Sequence, residues 1–230
     1  PYGGGNFDVS RNNQVAYTHV ETQRPADLHV LNKGKSRQLT QLNEDLLAHK
    51  ELAKVEAMRF PSQHDGREVQ AWLAYPPDYE EGKQYPLILE IHGGPFANYG
   101  PRFSSEVQLY ATAGYLVLYV NPRGSTSYGS EFANLIHHNY PGEDYDDLIS
   151  AVDQVIERGL TSEEQLYVTG GSGGGVLTAW IVGKTDRFQA AVVAKPVINW
   201  TSFVLNADLT TFFPRYWFDS PPWENQAEYW

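Results

Sequence analysis

The stretch Gln165-Leu166-Tyr167-Val168-Thr169-Gly170-Gly171-Ser172-Gly173-Gly174-Gly175-Val176 decides how this chain folds. Its first five residues are rich in the branched and aromatic side chains that favour strands, and Val176 to Val182 is an apolar run of helical character. Between them lies a G-x-S-x-G sequence. A chain that turns from strand to helix this tightly must lack side chains beside the turning residue, and the strained turn lifts the serine hydroxyl above the sheet edge. Glycine-rich loops that bind phosphate are excluded by position. A dinucleotide fingerprint begun at Gly171 needs glycine where Val176 stands, and one begun at Gly173 needs it at Thr178. Gly183-Lys184-Thr185 resembles the end of a P-loop, but its first glycine would also fall at Thr178 and the tripeptide comes late in the helix.

Working outward, Glu68 to Ala74, Leu87 to His92, Leu116 to Val120 and Ala190 to Ala194 read as further strands. The last two, with Leu87 to His92 and the elbow strand, are nearly continuous in Val, Leu and Ile. Such strands suit a sheet covered on both faces, so this half is expected to be α/β with a mainly parallel sheet. Asp146 to Arg158 sets Leu148, Val152, Val155 and Ile156 on one helical face and stops at Gly159. Glu143, Asp144, Asp146 and Asp147 crowd its positive end, where the helix dipole accounts for them as a solvated helix start without a metal. Ile91-His92-Gly93-Gly94-Pro95 closes the strand before it, and a loop of this kind can aim a backbone N–H at a developing oxyanion. His92 is read as holding that loop by a side-chain hydrogen bond rather than as a base.

The first forty residues have another character. Phe7 to Ser10, Gln14 to Val20, Asp27 to Leu31 and Ser36 to Thr40 are short strands parted by polar turns, and read as one four-stranded antiparallel sheet. One propeller blade or a lone meander fits equally, and no second copy of the pattern follows. Leu42 to Lys54 reads as a polar helical linker.

Composition removes several functions. Of 230 residues, 41% are hydrophobic and none is cysteine, so disulfide scaffolds, thiolate metal sites and cysteine nucleophiles are excluded. The net charge of −11 is uneven: residues 1–60 carry eight Lys and Arg against seven Asp and Glu, and residues 61–230 nine against twenty-one. Neither zone has the basic stripe that phosphate neutralisation needs, so no nucleic-acid partner is expected. No apolar run nears the ~18 residues of a membrane span, so the expectation is a soluble chain with no membrane partner. Its compartment stays open between cytoplasm and an extracytoplasmic space.

Taken together, Gly170 to Gly175, His92-Gly93-Gly94-Pro95, Asn121-Pro122-Arg123-Gly124-Ser125 with Tyr128-Gly129, and Thr185-Asp186-Arg187-Phe188 with Ala190-Ala191-Val192 resemble the prolyl oligopeptidase family of serine peptidases. The acylaminoacyl-peptidase-like and dipeptidyl-peptidase-like branches are nearest. Four motifs occur in the family's order over about residues 40–230. The resemblance implies a partial α/β-hydrolase fold with a mainly parallel sheet, preceded by an antiparallel β segment like the last blade of a β-propeller. The implied division is a propeller remnant over 1–41, a linker over 42–56 and a peptidase domain over 57–230 that lacks its C-terminal part. It further implies Ser172 as nucleophile, Gly94 and Gly173 as oxyanion donors, and a substrate pocket at Val197, Trp200 and Phe203. The substrate partner would be a short peptide, and no cofactor or metal is implied. One departure from the family is that the position after the nucleophile, often Tyr in relatives, is Gly173.

In this fold the acid and then the base follow the serine. All seven histidines (19, 29, 49, 64, 92, 137 and 138) precede Ser172, and only 58 residues follow it. The triad Asp and His are therefore expected to be absent, and this chain alone is expected to have little peptidase activity. An esterase would share every residue named. A non-catalytic binding or assembly module, or a second polypeptide or second copy covering exposed edges, are the other readings.

Overall fold

The structure, a computed structural model, describes residues 5–229. Residues 1–4 and 230, assigned above to the ends of the propeller remnant and the peptidase domain, lie outside the described residues. Two sheets are present among the described residues. The first is an antiparallel meander of β1 (Phe7–Val9), β2 (Val15–Glu21), β3 (Arg24–Asn32) and β4 (Lys35–Gln38), in sequence order. Asp27, buried on β3, fastens its exit: the carboxylate accepts from Arg24 Nε (2.7 Å), Thr40 Oγ1 (2.8 Å) and the backbone N–H of Leu42 (2.8 Å).

The linker departs from expectation. Only Glu44–Leu47 (α1) is helical, and a strand, β5 (Lys54–Pro61), begins where the helix was expected to end. Backbone pairing with β6 (Glu68–Tyr75) over Lys54↔Tyr75 to Pro61↔Glu68 takes precedence over helix propensity there.

The second sheet adds β7 (Leu87–Ile91), β8 (Leu116–Asn121), β9 (Leu166–Gly171) and β10 (Ala190–Ala194), in the order β10-β9-β7-β8-β6-β5. Pairs β8/β7, β7/β9 and β9/β10 are parallel, while β5/β6 and β6/β8 are antiparallel. The helices are α2 (Ser105–Thr112), α3 (Gly129–Asn134), α4 (Asp144–Glu157), α5 (Gly173–Lys184), α6 (Trp200–Asn206) and α7 (Phe213–Tyr216).

Alternating strand residues divide between two cores. Leu87, Leu89, Ile91, Leu116, Leu118 and Leu166 meet Leu148, Val152 and Val155 of α4 and Leu177 and Ile181 of α5 on one face. Trp72, Ala74, Val117 and Tyr119 meet Val107 and Ala111 of α2 on the other. The sheet is thus covered on both sides across its middle. Strand β10 differs: although apolar it is the outermost strand, and Val192 is 64% exposed. No helix among the described residues is long and apolar enough to cross a membrane.

Two of the acidic residues at the start of α4 do not lie on a solvated helix start, contrary to the dipole reading. Asp144 and Asp147 are buried. Asp147 accepts from the backbone N–H of Arg123 (2.7 Å), from its Nε (3.0 Å) and from its Nη2 (2.8 Å). The same guanidinium reaches Ser62 Oγ and Asp65, both at 3.2 Å. An ion pair with this many donors can stand removal from water.

Candidate active site

Ser172 lies between β9 and α5 with φ 59° and ψ −118°, a backbone region that non-glycine residues occupy at a cost of about 1–3 kcal/mol. It is exposed, and its side chain makes no hydrogen bond among the described residues. The turn is held by its backbone: Ser172 N donates to Ala194 O of β10 (3.0 Å), and Val176 N donates to Ser172 O (3.0 Å) to begin the helix. Two of the glycines that follow it are obligatory by contact. A Cβ on Gly174 would lie 2.0 Å from Ile91 O, and one on Gly175 would lie 2.3 Å from Ala194 O. The elbow is therefore pressed between the ends of β7 and β10.

The loop after β7 closes on the same turn. A Cβ on Gly93 would stand 2.8 Å from Gly171 O and 3.2 Å from Ser172 Cβ, and one on Gly173 would stand 3.0 Å from Gly94 N. Gly94 takes φ +124°, which a residue with a side chain rarely adopts. The structure thus brings Ser172, Gly173 and Gly94 together. The N-terminal dipole of α5, twelve residues long, also points at this place.

His92 is buried with both ring nitrogens engaged: Nδ1 lies 2.7 Å from Gly93 O and Nε2 lies 2.9 Å from Ser125 Oγ. Burial pushes its pKa down to about 4, against a smaller upward pull from Gly93. The ring ties the His-Gly-Gly loop to the Asn121–Ser125 segment, the loop-holding role read from the sequence.

The three expected pocket residues follow β10. Val197 is half-buried in the connection to α6. Trp200 opens α6, whose N-terminus is capped by Asn199 accepting from Ser202 N (2.8 Å). Phe203 lies one turn on, its ring 5.9 Å from that of Trp200. Both belong to an aromatic cluster with buried Phe213 and Phe218. Trp200 also faces the Tyr140 ring edge-on at 6.5 Å, and Tyr140 donates from its hydroxyl to Gly173 O (2.9 Å). Tyr140 escaped sequence reading because the 33 residues separating it from Gly173 leave no local pattern.

Of the acidic residues after Ser172, Asp219 is paired backwards in sequence with His138 Nδ1 (2.8 Å). Among the described residues no group of three or more His, Asp or Glu could hold a metal ion. A groove of about 840 Å³, lined by Tyr75, Tyr79, Arg158 and Leu160, opens at the opposite end of the parallel strands from Ser172.

A mainly parallel sheet crossed by helices on both faces, with a strained serine turned out between an inner strand and the following helix, defines an α/β-hydrolase fold. The Prolyl oligopeptidase family matches residues 101–230, and the chain belongs to that family. It is 39% identical over 227 residues to the uncharacterized peptidase YuxL of Bacillus subtilis, covering 97% of this chain and 34% of that protein. Dipeptidyl-peptidase 5 of Schizosaccharomyces pombe is 29% identical, over 82% of this chain and 29% of its own length. Among solved structures, acylaminoacyl peptidase of Pyrococcus horikoshii superposes with a TM-score of 0.89 at 29% identity, covering 100% of this chain and 37% of that one. The chain spans about a third of the length of the curated relatives it matches.

Proposed function

We propose that Ser172 is the nucleophile of a serine peptidase that cleaves peptide or acyl-aminoacyl bonds of short peptides. The observation that carries this reading is the strained, exposed Ser172 with the Gly93-Gly94 loop packed against it. Ser172 Oγ attacks the scissile carbonyl carbon and its proton passes to a general base. The carbonyl oxygen becomes an oxyanion between the N–H groups of Gly94 and Gly173. Collapse expels the amine, which takes up the proton from that base, and leaves an ester on Ser172; water, deprotonated by the same base, then hydrolyses the ester and returns the proton to Ser172 Oγ. Val197, Trp200 and Phe203 receive an apolar side chain of the substrate.

The base on this reading is not one of the seven histidines. His92 spends both nitrogens on the loop, and the Ser172 side chain has no hydrogen-bond partner among the described residues. The 230-residue chain by itself is therefore proposed to be nearly inactive. Within it, residues 1–41 are proposed as the last propeller blade, 42–56 as the linker and 57–230 as part of the peptidase domain.

Acylaminoacyl and dipeptidyl anilides test the proposal on the full-length protein. Hydrolysis by wild type and loss of at least a thousandfold in Ser172→Ala are expected, as nucleophile removal in serine peptidases gives. Cleavage of simple acyl esters but of no anilide would instead favour the esterase. Wild-type rates from residues 1–230 alone would overturn the proposed inactivity.

A further inference from the structure

We propose that Tyr140 is a positioning residue for the oxyanion donor at Gly173, an inference that rests on the role assigned to Ser172 above. Three consecutive glycines, Gly173 to Gly175, form the first turn of α5. Glycine leaves a backbone looser than any other residue does, so a donor N–H on the first of them needs restraint from elsewhere. The neighbouring main chain supplies some of it, since the Gly93-Gly94 loop and the end of β10 crowd this turn. Among the described residues, the hydroxyl of Tyr140 is the one side-chain donor from outside α5 to reach the carbonyl oxygens of residues 170–175, at 2.9 Å from Gly173 O. The other contact, Thr178 Oγ1 to Gly174 O (2.8 Å), is internal to the helix.

The hydroxyl also occupies the place of a missing side chain. A Cβ on Gly173 would meet it at 3.0 Å, so Tyr140 fills from across the fold the space beside the nucleophile that residue 173 leaves open. Its ring is fixed in turn, stacked on Trp217 at 5.4 Å and 22° and edge-on to Trp200. Two indoles set the ring, the ring sets the hydroxyl, and the hydroxyl sets the Gly173 carbonyl. Because Gly173 carries the donor that strengthens only as the tetrahedral intermediate forms, the contact is expected to act on turnover rather than on substrate binding.

Tyr140→Phe in the full-length protein keeps the ring and removes one hydroxyl. With active sites counted by fluorophosphonate titration, kcat per titrated site is expected to fall about tenfold, the effect of one hydrogen bond, with KM changed less than twofold. Inhibition by a peptidyl aldehyde, which forms a tetrahedral adduct, should weaken in parallel. A kcat per site within twofold of wild type, a rise in KM alone, or a fall traced entirely to fewer titratable sites would each overturn the proposal. Ser172→Ala run beside it separates the two readings. Activity retained in that variant defeats the assignment of the site, whereas its loss beside a wild-type-like Tyr140→Phe defeats only the role of Tyr140.

Discussion

Gly174 shows how a single missing side chain holds the elbow in place. With Ile91 O 2.0 Å from where a Cβ would sit, Gly174→Ala must push β7 and α5 apart or unwind the turn. A loss of at least about 3 kcal/mol is expected in denaturant unfolding, the upper range of overpacking costs. Wild-type stability in that variant would contradict the close approach. Asp144 makes a second point at this scale. Its Oδ1 accepts from the N–H groups of Gly142 and Tyr145, while its buried Oδ2 has no hydrogen-bond partner among the described residues. Burial, opposed by those two donors and aided by Asp147, raises its pKa from 3.8 to about 7. A carboxyl raised in this way favours the folded state while protonated, so its contribution is full below about pH 4 and lost as pH rises through about 7. The stability of Asp144→Asn relative to wild type should therefore climb by a few kcal/mol, to order of magnitude, between pH 4 and 7. A difference flat with pH would refute it. Glu90, raised to about 8 by burial and by Glu106, acts in the same sense, and His92, lowered to about 4, acts in the opposite one. Comparison with wild type at each pH isolates Asp144 from both.

At the scale of elements, the Arg123–Asp147 pair joins the end of β8 to α4, and Arg123 reaches on to Ser62 and Asp65 in the connection from β5 to β6. Removing one partner strands a buried charge, so Asp147→Ala should cost about 3–5 kcal/mol, whereas replacing both groups by apolar residues should cost less. Equal losses in the single and double variants would count against an ion-pair origin. Pairing of this kind marks where sequence reading stops. The acidic run 143–147 looks like any helix start, because nothing local reveals that Arg123 waits for Asp147 across 24 residues. Strand β5 was missed for a similar reason: Lys54 to Pro61 mixes three charged residues with apolar ones and ends in proline, and becomes a strand by pairing with β6. The inner strands were legible because their apolar runs have no other stable use. The elbow was legible because its chemistry is backbone chemistry, written in glycines. Tyr140 was not, since its function is a contact and leaves no spacing.

For the molecule as a whole, Gln108 of α2 connects the two sheets. Buried, it accepts from Ala53 N (2.8 Å) and donates to Thr22 O (3.2 Å) in the β2–β3 turn, while Gln23 donates to Leu52 O and Ala53 O. Gln108→Leu leaves the Ala53 N–H without its partner at a cost of about 1–3 kcal/mol, and should speed amide exchange in β2 and β3 while leaving β7 to β9 protected. Uniform exchange throughout would mean that the two sheets do not open separately. On an outer strand of each sheet apolar side chains face solvent, Phe7 on β1 and Val192 on β10. Between them lies the strand-to-helix turn at Ser172 where the chemistry is proposed to take place. The most direct test of that claim is to label the full-length protein with a fluorophosphonate and map the adduct by mass spectrometry. The adduct is expected on Ser172 and absent from Ser172→Ala together with peptidase activity; an adduct on another residue, with Ser172→Ala still labelled and active, would contradict it.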